Sequence, residues 1–166
     1  MSHVFATHDL AAVSLDHGDV PRLQALFERC DEFIQLIYRR PVDAREATSL
    51  LESLPPDKEI ADKFVLGLET ANGDLAGVLE LVRNFPDEGD WFLGLLLLDP
   101  RHRGKGAGTR VMDALEAWLL AEGAESVLVA VQDQNGPARR FWERRGYGFV
   151  HEIGKVHRLR KRLSGA

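Results

Sequence analysis

Asp99-Pro-Arg-His-Arg-Gly-Lys-Gly-Ala-Gly-Thr109 follows an apolar run, Phe92-Leu-Gly-Leu-Leu-Leu-Leu98, and leads into an amphipathic segment that begins at Arg110. This order predicts a strand ending at a proline turn, a glycine-dense loop and then a helix. Gly104, Gly106 and Gly108 stand at alternate positions, so no side chain keeps a ligand away from the backbone N–H groups. The helix that follows adds unpaired N–H donors and the positive end of its dipole. Arg103 and Lys105 contribute formal charge, and the stretch reads as a phosphate cradle. The plain alternative is a glycine-rich strand–helix turn that holds no ligand.

Two familiar phosphate patterns fail here. GxxxxGK[ST] needs a glycine where Asp99 stands, and a Ser or Thr where Gly106 stands. GxGxxG accepts Gly104 and Gly106 but meets Thr109 at its last position. What fits is [Q/R]xxGx[G/A], as Arg103-Gly-Lys-Gly106-Ala-Gly108. This resembles motif A of the GNAT superfamily of acyl-CoA-dependent N-acyltransferases. The resemblance implies that Arg103, Gly104, Lys105, Gly106, Ala107, Gly108 and Thr109 bind the coenzyme A pyrophosphate.

A second signature follows a short apolar strand, Ser126-Val-Leu-Val-Ala-Val131. It is Asn135-Gly-Pro-Ala-Arg-Arg-Phe-Trp-Glu-Arg-Arg-Gly-Tyr-Gly-Phe149. Pro137 suits a helix start and Gly146 the residue after its last turn. The segment is similar to the family's motif B, NxxAxxFYxxxGF, in order and spacing. The resemblance places Asn135 and Ala138 along the pantetheine arm, with Phe141 and Trp142 completing the cofactor site. One position departs from it. Many relatives carry Tyr, a general acid toward the leaving thiolate, where this chain has Trp142. An indole N–H donates hydrogen bonds but supplies no proton in this pH range. Trp142 packing the helix on the sheet is the simpler reading of that residue, and the only tyrosines, Tyr38 and Tyr147, lie off the motif position.

Composition bounds the rest. The chain has 166 residues, is 45% hydrophobic and carries a net charge of −5, as expected for one globular domain over 1–166. The acidic balance argues against nucleic-acid binding, while the local basic cluster Arg101, Arg103, Lys105 and Arg110 suits a polyphosphate. The acidic remainder points toward a cationic acceptor such as an amine. The single cysteine, Cys30, excludes an internal disulfide and falls on an apolar helical stripe. No apolar run is long enough to span a membrane and no signal-peptide core is visible, so a cytoplasmic location is expected. The six histidines lack zinc spacing, and no metal is expected. His151 and His157 are placed to face each other across the last hairpin, or simply lie on the surface.

The order of elements is consistent throughout. A loose start over 1–10 precedes a weak strand at 11–15. A helix over 21–38 carries Leu23, Leu26, Phe27, Cys30, Phe33, Ile34 and Ile37 at helical spacing. Asp43 and Glu46 read as a capping box for a helix ending near Pro55. Strands at 63–69 and 75–82 flank Ala71-Asn-Gly-Asp74, a hairpin signal. A strand at 90–98, a helix at 106–122, a strand at 126–131, the motif B helix and strands near 147–151 and 155–160 complete the chain. The expected fold class is α/β, a mixed and mostly antiparallel twisted sheet with helices on both faces. The resemblance adds splayed central strands, 90–98 and 126–131, with Leu96, Leu97 and Leu98 along the acyl-pantetheine arm, where their main-chain groups would bind and their side chains fit as plain core.

The chemistry then needs a base for the attacking amine and donors for the oxyanion. Glu80, a carboxylate inside an apolar strand, is the first catalytic candidate; Asp90, at the start of the strand that leads to the loop, is the second. Both also fit as solvated strand residues. The expected activity is acetyl transfer from acetyl-CoA, as acyl-donor co-substrate, to a small-molecule or polypeptide amine by direct attack in a ternary complex. The alternatives are an acyl-CoA-binding regulatory module without turnover and a protein lysine or N-terminal acetyltransferase. The sequence does not set the oligomeric state, and a homodimer is one of the expected forms.

Overall fold

The computed structural model describes residues 3–164. Eight strands form one sheet: β1 (Phe5–Ala6), β2 (Ala11–Ser14), β3 (Lys63–Glu69), β4 (Leu75–Arg83), β5 (Asp90–Leu98), β6 (Ser126–Gln132), β7 (Gly148–Ile153) and β8 (Val156–Arg162). The five helices are α1 (Val20–Arg29), α2 (Asp31–Tyr38), α3 (Glu46–Glu52), α4 (Ala107–Ala121) and α5 (Gly136–Arg144). The strand order is β1-β2-β3-β4-β5-β6-β8-β7, and β5–β6 is its one parallel pair. This is the mixed, mostly antiparallel sheet that the sequence implies.

Strand alternation sends side chains to opposite faces, and a separate core forms on each. Leu66, Leu79, Leu81, Leu93 and Val129 pack against Val111, Met112, Leu115 and Leu119 of α4 and Trp142 of α5. Val65, Val78 and Leu97 pack on the other face against Leu23, Leu26, Phe27 and Ile34 of α1 and α2 and Leu51 of α3. Glu80 shares a strand face with Val78, so it points to the α1–α3 side.

Three local features differ from the sequence reading. The expected helix over 21–38 breaks at Cys30, whose backbone (φ −106°, ψ 24°) leaves the helical region while its N–H still donates to Leu26 and Phe27. The break lets both short helices turn an apolar side to the sheet, and Cys30 is fully buried there. Burial pushes the Cys30 thiol up, away from nucleophile chemistry. The start of the chain is more ordered than expected. Phe5 pairs with Ala12 in a short hairpin whose turn is closed by Thr7 Oγ1 accepting from Leu10 N at 3.0 Å; residues 1–2 of the expected loose start lie outside the described span. Asp43 and Glu46 do exchange contacts, with Asp43 N donating to Glu46 Oε1 at 3.1 Å, but Asp43 Oδ1 accepts from Arg45 N in a turn that precedes α3.

The closing hairpin also corrects one pairing. A bulge between Phe149 and His151 puts His151 opposite Arg158 and leaves His157 opposite Glu152. His157 Nε2 lies 2.8 Å from Glu152 Oε2, so the two histidines do not meet.

Candidate active site

Asp99 roots the glycine loop. Its carboxylate is buried and accepts from Arg101 N at 2.9 Å and from Arg101 Nε at 3.1 Å, with Arg29 bonded to the second oxygen. Burial alone would raise this carboxyl, but the arginine hydrogen bonds outweigh it and hold it well below the usual carboxylate range. Arg103 Nε then donates to Leu98 O at 2.8 Å. Gly104 and Gly106 take φ of 75° and 77°, a left-handed backbone that other residues adopt only at a cost. The result is a run of amides, Gly104 through Thr109, that donate to no acceptor among the described residues. They end at the N-terminus of the 15-residue α4. Arg110 braces the loop from behind, through Lys105 O at 2.9 Å and Asp9 Oδ2 at 3.2 Å. Convergent amides, a helix dipole and the exposed cations Arg103 and Lys105 fit a pyrophosphate. Ala107 itself is buried and Thr109 is exposed.

Beyond the loop, β5 and β6 part. Their pairing runs from Asp90 with Ser126 to Leu93 with Val129 and stops. Gly94 is the reason. Glu80 stands opposite Leu95 and Leu81 opposite Leu93, so Gly94 has no partner on either neighbouring strand. A bulge of this kind bends its strand and disrupts the ladder. The gap is a cleft of about 180 Å³ walled by β5 and β6, with Asn135, Ala138 and Trp142 along it and Tyr38 of α2 beside it.

The side chains of the three leucines at the end of β5 go to different places. Leu96 lines the cleft, whereas the Leu97 side chain packs on the α1–α3 face and Leu98 packs on the α4–α5 face. Phe141 seats α5 against the start of α4, close to Gly108. Asn135 caps α5, accepting from Ala138 N at 3.2 Å through Oδ1, and its amide nitrogen has no partner among the described residues.

That double position makes a prediction. Asn135→Ala should lower stability by about 1 kcal/mol through the lost cap and weaken acetyl-CoA binding by about 1–2 kcal/mol. Asn135→Asp keeps the capping oxygen, so it should retain stability and still lose affinity. Denaturant unfolding and calorimetry on both variants check this, and full affinity in Asn135→Asp would confine the residue to the cap.

Trp142 is 8% exposed and stacks edge-on with Phe141 and Tyr147, at 4.9 and 5.0 Å between ring centroids. Tyr147 is buried, its hydroxyl donates to Glu116 at 2.8 Å, and burial with the Glu116 charge pushes its phenol far up. It is a structural hydroxyl. Tyr38 is half exposed and is the tyrosine beside the cleft. Burial of part of its ring, then the charges of Glu46 and Glu80, push its phenol up as well.

A second cavity, of about 260 Å³, opens on the α1–α3 side and shares Tyr38, Gly94 and Leu95 with the first. Glu80 and Glu46 lie in its wall. Glu80 Oε2 accepts from Lys63 Nζ at 2.6 Å, and Lys63 also donates to the Ser53 carbonyl. The other Glu80 oxygen faces Gly94 so closely that a Cβ there would collide with it. Glu46 forms a two-bond fork with Arg40 at 2.8 and 3.1 Å, and those bonds lower its carboxyl. Asp90 sits elsewhere, paired with Arg160 at 3.2 Å, at the end of β5 remote from Gly94.

Lys63, Tyr38 and the Gly94 bulge escape the sequence reading. A glycine alone among leucines was the available signal for the bulge; Lys63 and Tyr38 carry none. Among the described residues no cluster of His, Cys, Asp and Glu is placed to hold a metal ion, and no helix is long and apolar enough to cross a membrane.

Residues 23–147 match the profile of the acetyltransferase (GNAT) family. The chain belongs to this family. The matched span runs from within α1 through α2, α3, the glycine loop and the motif B helix. An uncharacterized N-acetyltransferase of Bacillus subtilis (strain 168), YhfO, is 28% identical over 141 residues, which cover 81% of this chain and 89% of the relative. Among solved structures, an acetyltransferase from Thermus thermophilus superposes with a TM-score of 0.82 at 22% identity, covering 98% of this chain and 100% of that one. Spermidine N-acetyltransferase from Vibrio cholerae, solved with CoA and spermine, gives 0.74 at 16% identity over 95% and 97% of the two chains. This GNAT chain is accordingly an N-acetyltransferase with the GNAT fold.

Proposed function

We propose that this acetyltransferase moves an acetyl group from acetyl-CoA to a primary amine by direct attack. One observation carries the reading. The cleft between β6 and β5, the strand that runs on into the glycine loop, and the cavity that holds Glu80 meet at Gly94, where the bulge interrupts the sheet. Acetyl-CoA supplies the acyl thioester, and the chain does the positioning. The amides from Gly104 to Thr109, with Arg103 and Lys105, hold the pyrophosphate. Asn135, Ala138 and Leu96 would line the arm, and backbone N–H groups of β5 beside the bulge would supply donors for the oxyanion.

Glu80 takes the proton from the amine, directly or through one water, while Lys63 fixes the direction of its carboxylate. No covalent enzyme intermediate is needed, and Cys30, the one thiol, is buried in the core. Because Trp142 is packed on Phe141 and Tyr147, the departing thiolate has no side-chain acid at that position. A thiol with an ordinary pKa near ~8.5 leaves as the thiolate without one.

The test is release of free CoA from acetyl-CoA across a panel of small amines and lysine-bearing peptides. Turnover on an amine supports the reading. Tight acetyl-CoA binding with no release on any of them would turn it toward a binding module. Trp142→Phe should cost about 1–3 kcal/mol of stability through lost packing and leave kcat within a few-fold. A loss of about 100-fold in kcat, with folding and acetyl-CoA affinity intact, would give the indole N–H a chemical role.

A further inference from the structure

Glu80 and Ser53 also form part of a third hollow, which continues the acceptor cavity away from the cofactor cleft. Phe92 and Phe85 line it, ring against ring with centroids 5.7 Å apart, and Arg158 of β8 lies at its far side. The Arg158 guanidinium covers the Phe92 ring at 4.8 Å. Its cationic neighbours all have carboxylate partners: Lys63 pairs with Glu80, Arg160 with Asp90, and Arg83 and Lys58 share Asp62. Arg158 is half-buried and has no carboxylate or carbonyl partner among the described residues. Arg39, Arg103, Arg140, Arg144 and Arg162 also lack a carboxylate among the described residues, but those five are exposed to solvent.

The order along this face is fixed by the sheet. Glu80 and the Phe92 ring both border the Cβ position of Gly94, with Phe92 Cε1 at 3.6 Å from it. Phe92 therefore stands between the Glu80 carboxylate and the Arg158 guanidinium. The hollow has an acid at the reaction end, an aromatic floor and one uncompensated positive charge at the other end. A polyamine would bring its second cation onto Arg158. A plain alkylamine would leave Arg158 unanswered. An amine with a carboxylate beyond an apolar spacer would satisfy both ends, since a guanidinium pairs a carboxylate through two parallel hydrogen bonds.

Resting on the acetyltransfer reading above, we infer that the acceptor is an amino carboxylate. Its amine lies at Glu80, its spacer lies on Phe92 and its carboxylate is held by Arg158. Arg158 is thus a specificity-determining residue. The overall charge of −5 favours a cation in the bulk, but the local balance around Arg158 decides which end of the acceptor goes where.

The experiment compares kcat/KM for CoA release over ω-amino carboxylates of increasing chain length, the n-alkylamines of equal length and the matching diamines. The expected result is a preference of about 10- to 100-fold for one length of amino carboxylate, the scale of a charge-assisted pair. Arg158→Gln should abolish that preference through KM, with kcat on the alkylamine and acetyl-CoA affinity unchanged. Arg158→Glu should turn the preference toward the diamine. A free amino carboxylate and a short peptide carrying the same terminal amine and an acidic side chain, run side by side, show which source of the group the hollow admits. Equal turnover of alkylamines and amino carboxylates, or a preference that survives Arg158→Gln, overturns the inference while acetyl transfer stands. No CoA release from any amine overturns the acetyltransfer reading and the inference with it.

Discussion

Gly106→Val should bind acetyl-CoA at least ~100-fold more weakly than the parent chain. Gly106 caps α4 with φ of 77°, where a β-branched residue is a steric outlier. Its new Cβ would approach Arg110 Nη1, which is 3.1 Å from that position and anchors the Lys105 carbonyl. The loop must then give up either its left-handed turn or its brace, and the amides on both sides of residue 106 rotate away from a shared anion. Hydrogen bonds to a charged group contribute about 1.5–3 kcal/mol each, so losing two accounts for the stated factor. The loop is exposed and lies outside both cores, so the thermal transition should fall only modestly. Calorimetric titration beside a melting curve decides the matter. A folded Gly106→Val protein with full acetyl-CoA affinity would sink the pyrophosphate assignment.

Glu80→Gln should lower kcat by about 100-fold or more, within the range for removing a positioned general base. The amide is nearly isosteric and its oxygen still accepts from Lys63 Nζ, so the bulge and the cavity wall should persist. Acetyl-CoA affinity should be unchanged, because Glu80 lines the second cavity and not the cleft between β5 and β6. The residual rate should climb as pH approaches the acceptor's own ammonium pKa, about 10.4 for a lysine-like amine. There the amine sheds its proton to solvent without help. Asp90→Asn is the informative contrast. Its partner is Arg160, so it should cost stability of about 1 kcal/mol and leave kcat nearly intact. If Asp90→Asn stops turnover and Glu80→Gln does not, the base has been placed on the wrong strand.

Much of this molecule is legible in its amino-acid sequence, because the signals are local. The glycine spacing from Gly104 to Gly108, Pro137 near the start of α5 and Gly146 after its end, and the Asn72-Gly73 turn between β3 and β4 each act within a few residues. The apolar periods of α4 and of the strands likewise need only neighbouring positions, and they place the glycine loop between β5 and α4. Element order and the motifs on it were therefore available from the chain alone.

What depends on distant partners was not. Alternation along β4 shows that Glu80 leaves the core of one face, but not what it meets on the other. That required Lys63 on β3, Gly94 on β5 and the register between them. Asp90, the second carboxylate candidate after Glu80, has its partner set only by β8, which brings Arg160 to it. The break at Cys30 follows from two helices having to cover one twisted face, and the separation of His151 from His157 follows from a single bulge in β7. Local propensity decides which segments become strands and helices. Register, bulges and crossovers are settled only when the sheet closes on its cores, and they determine which charges meet.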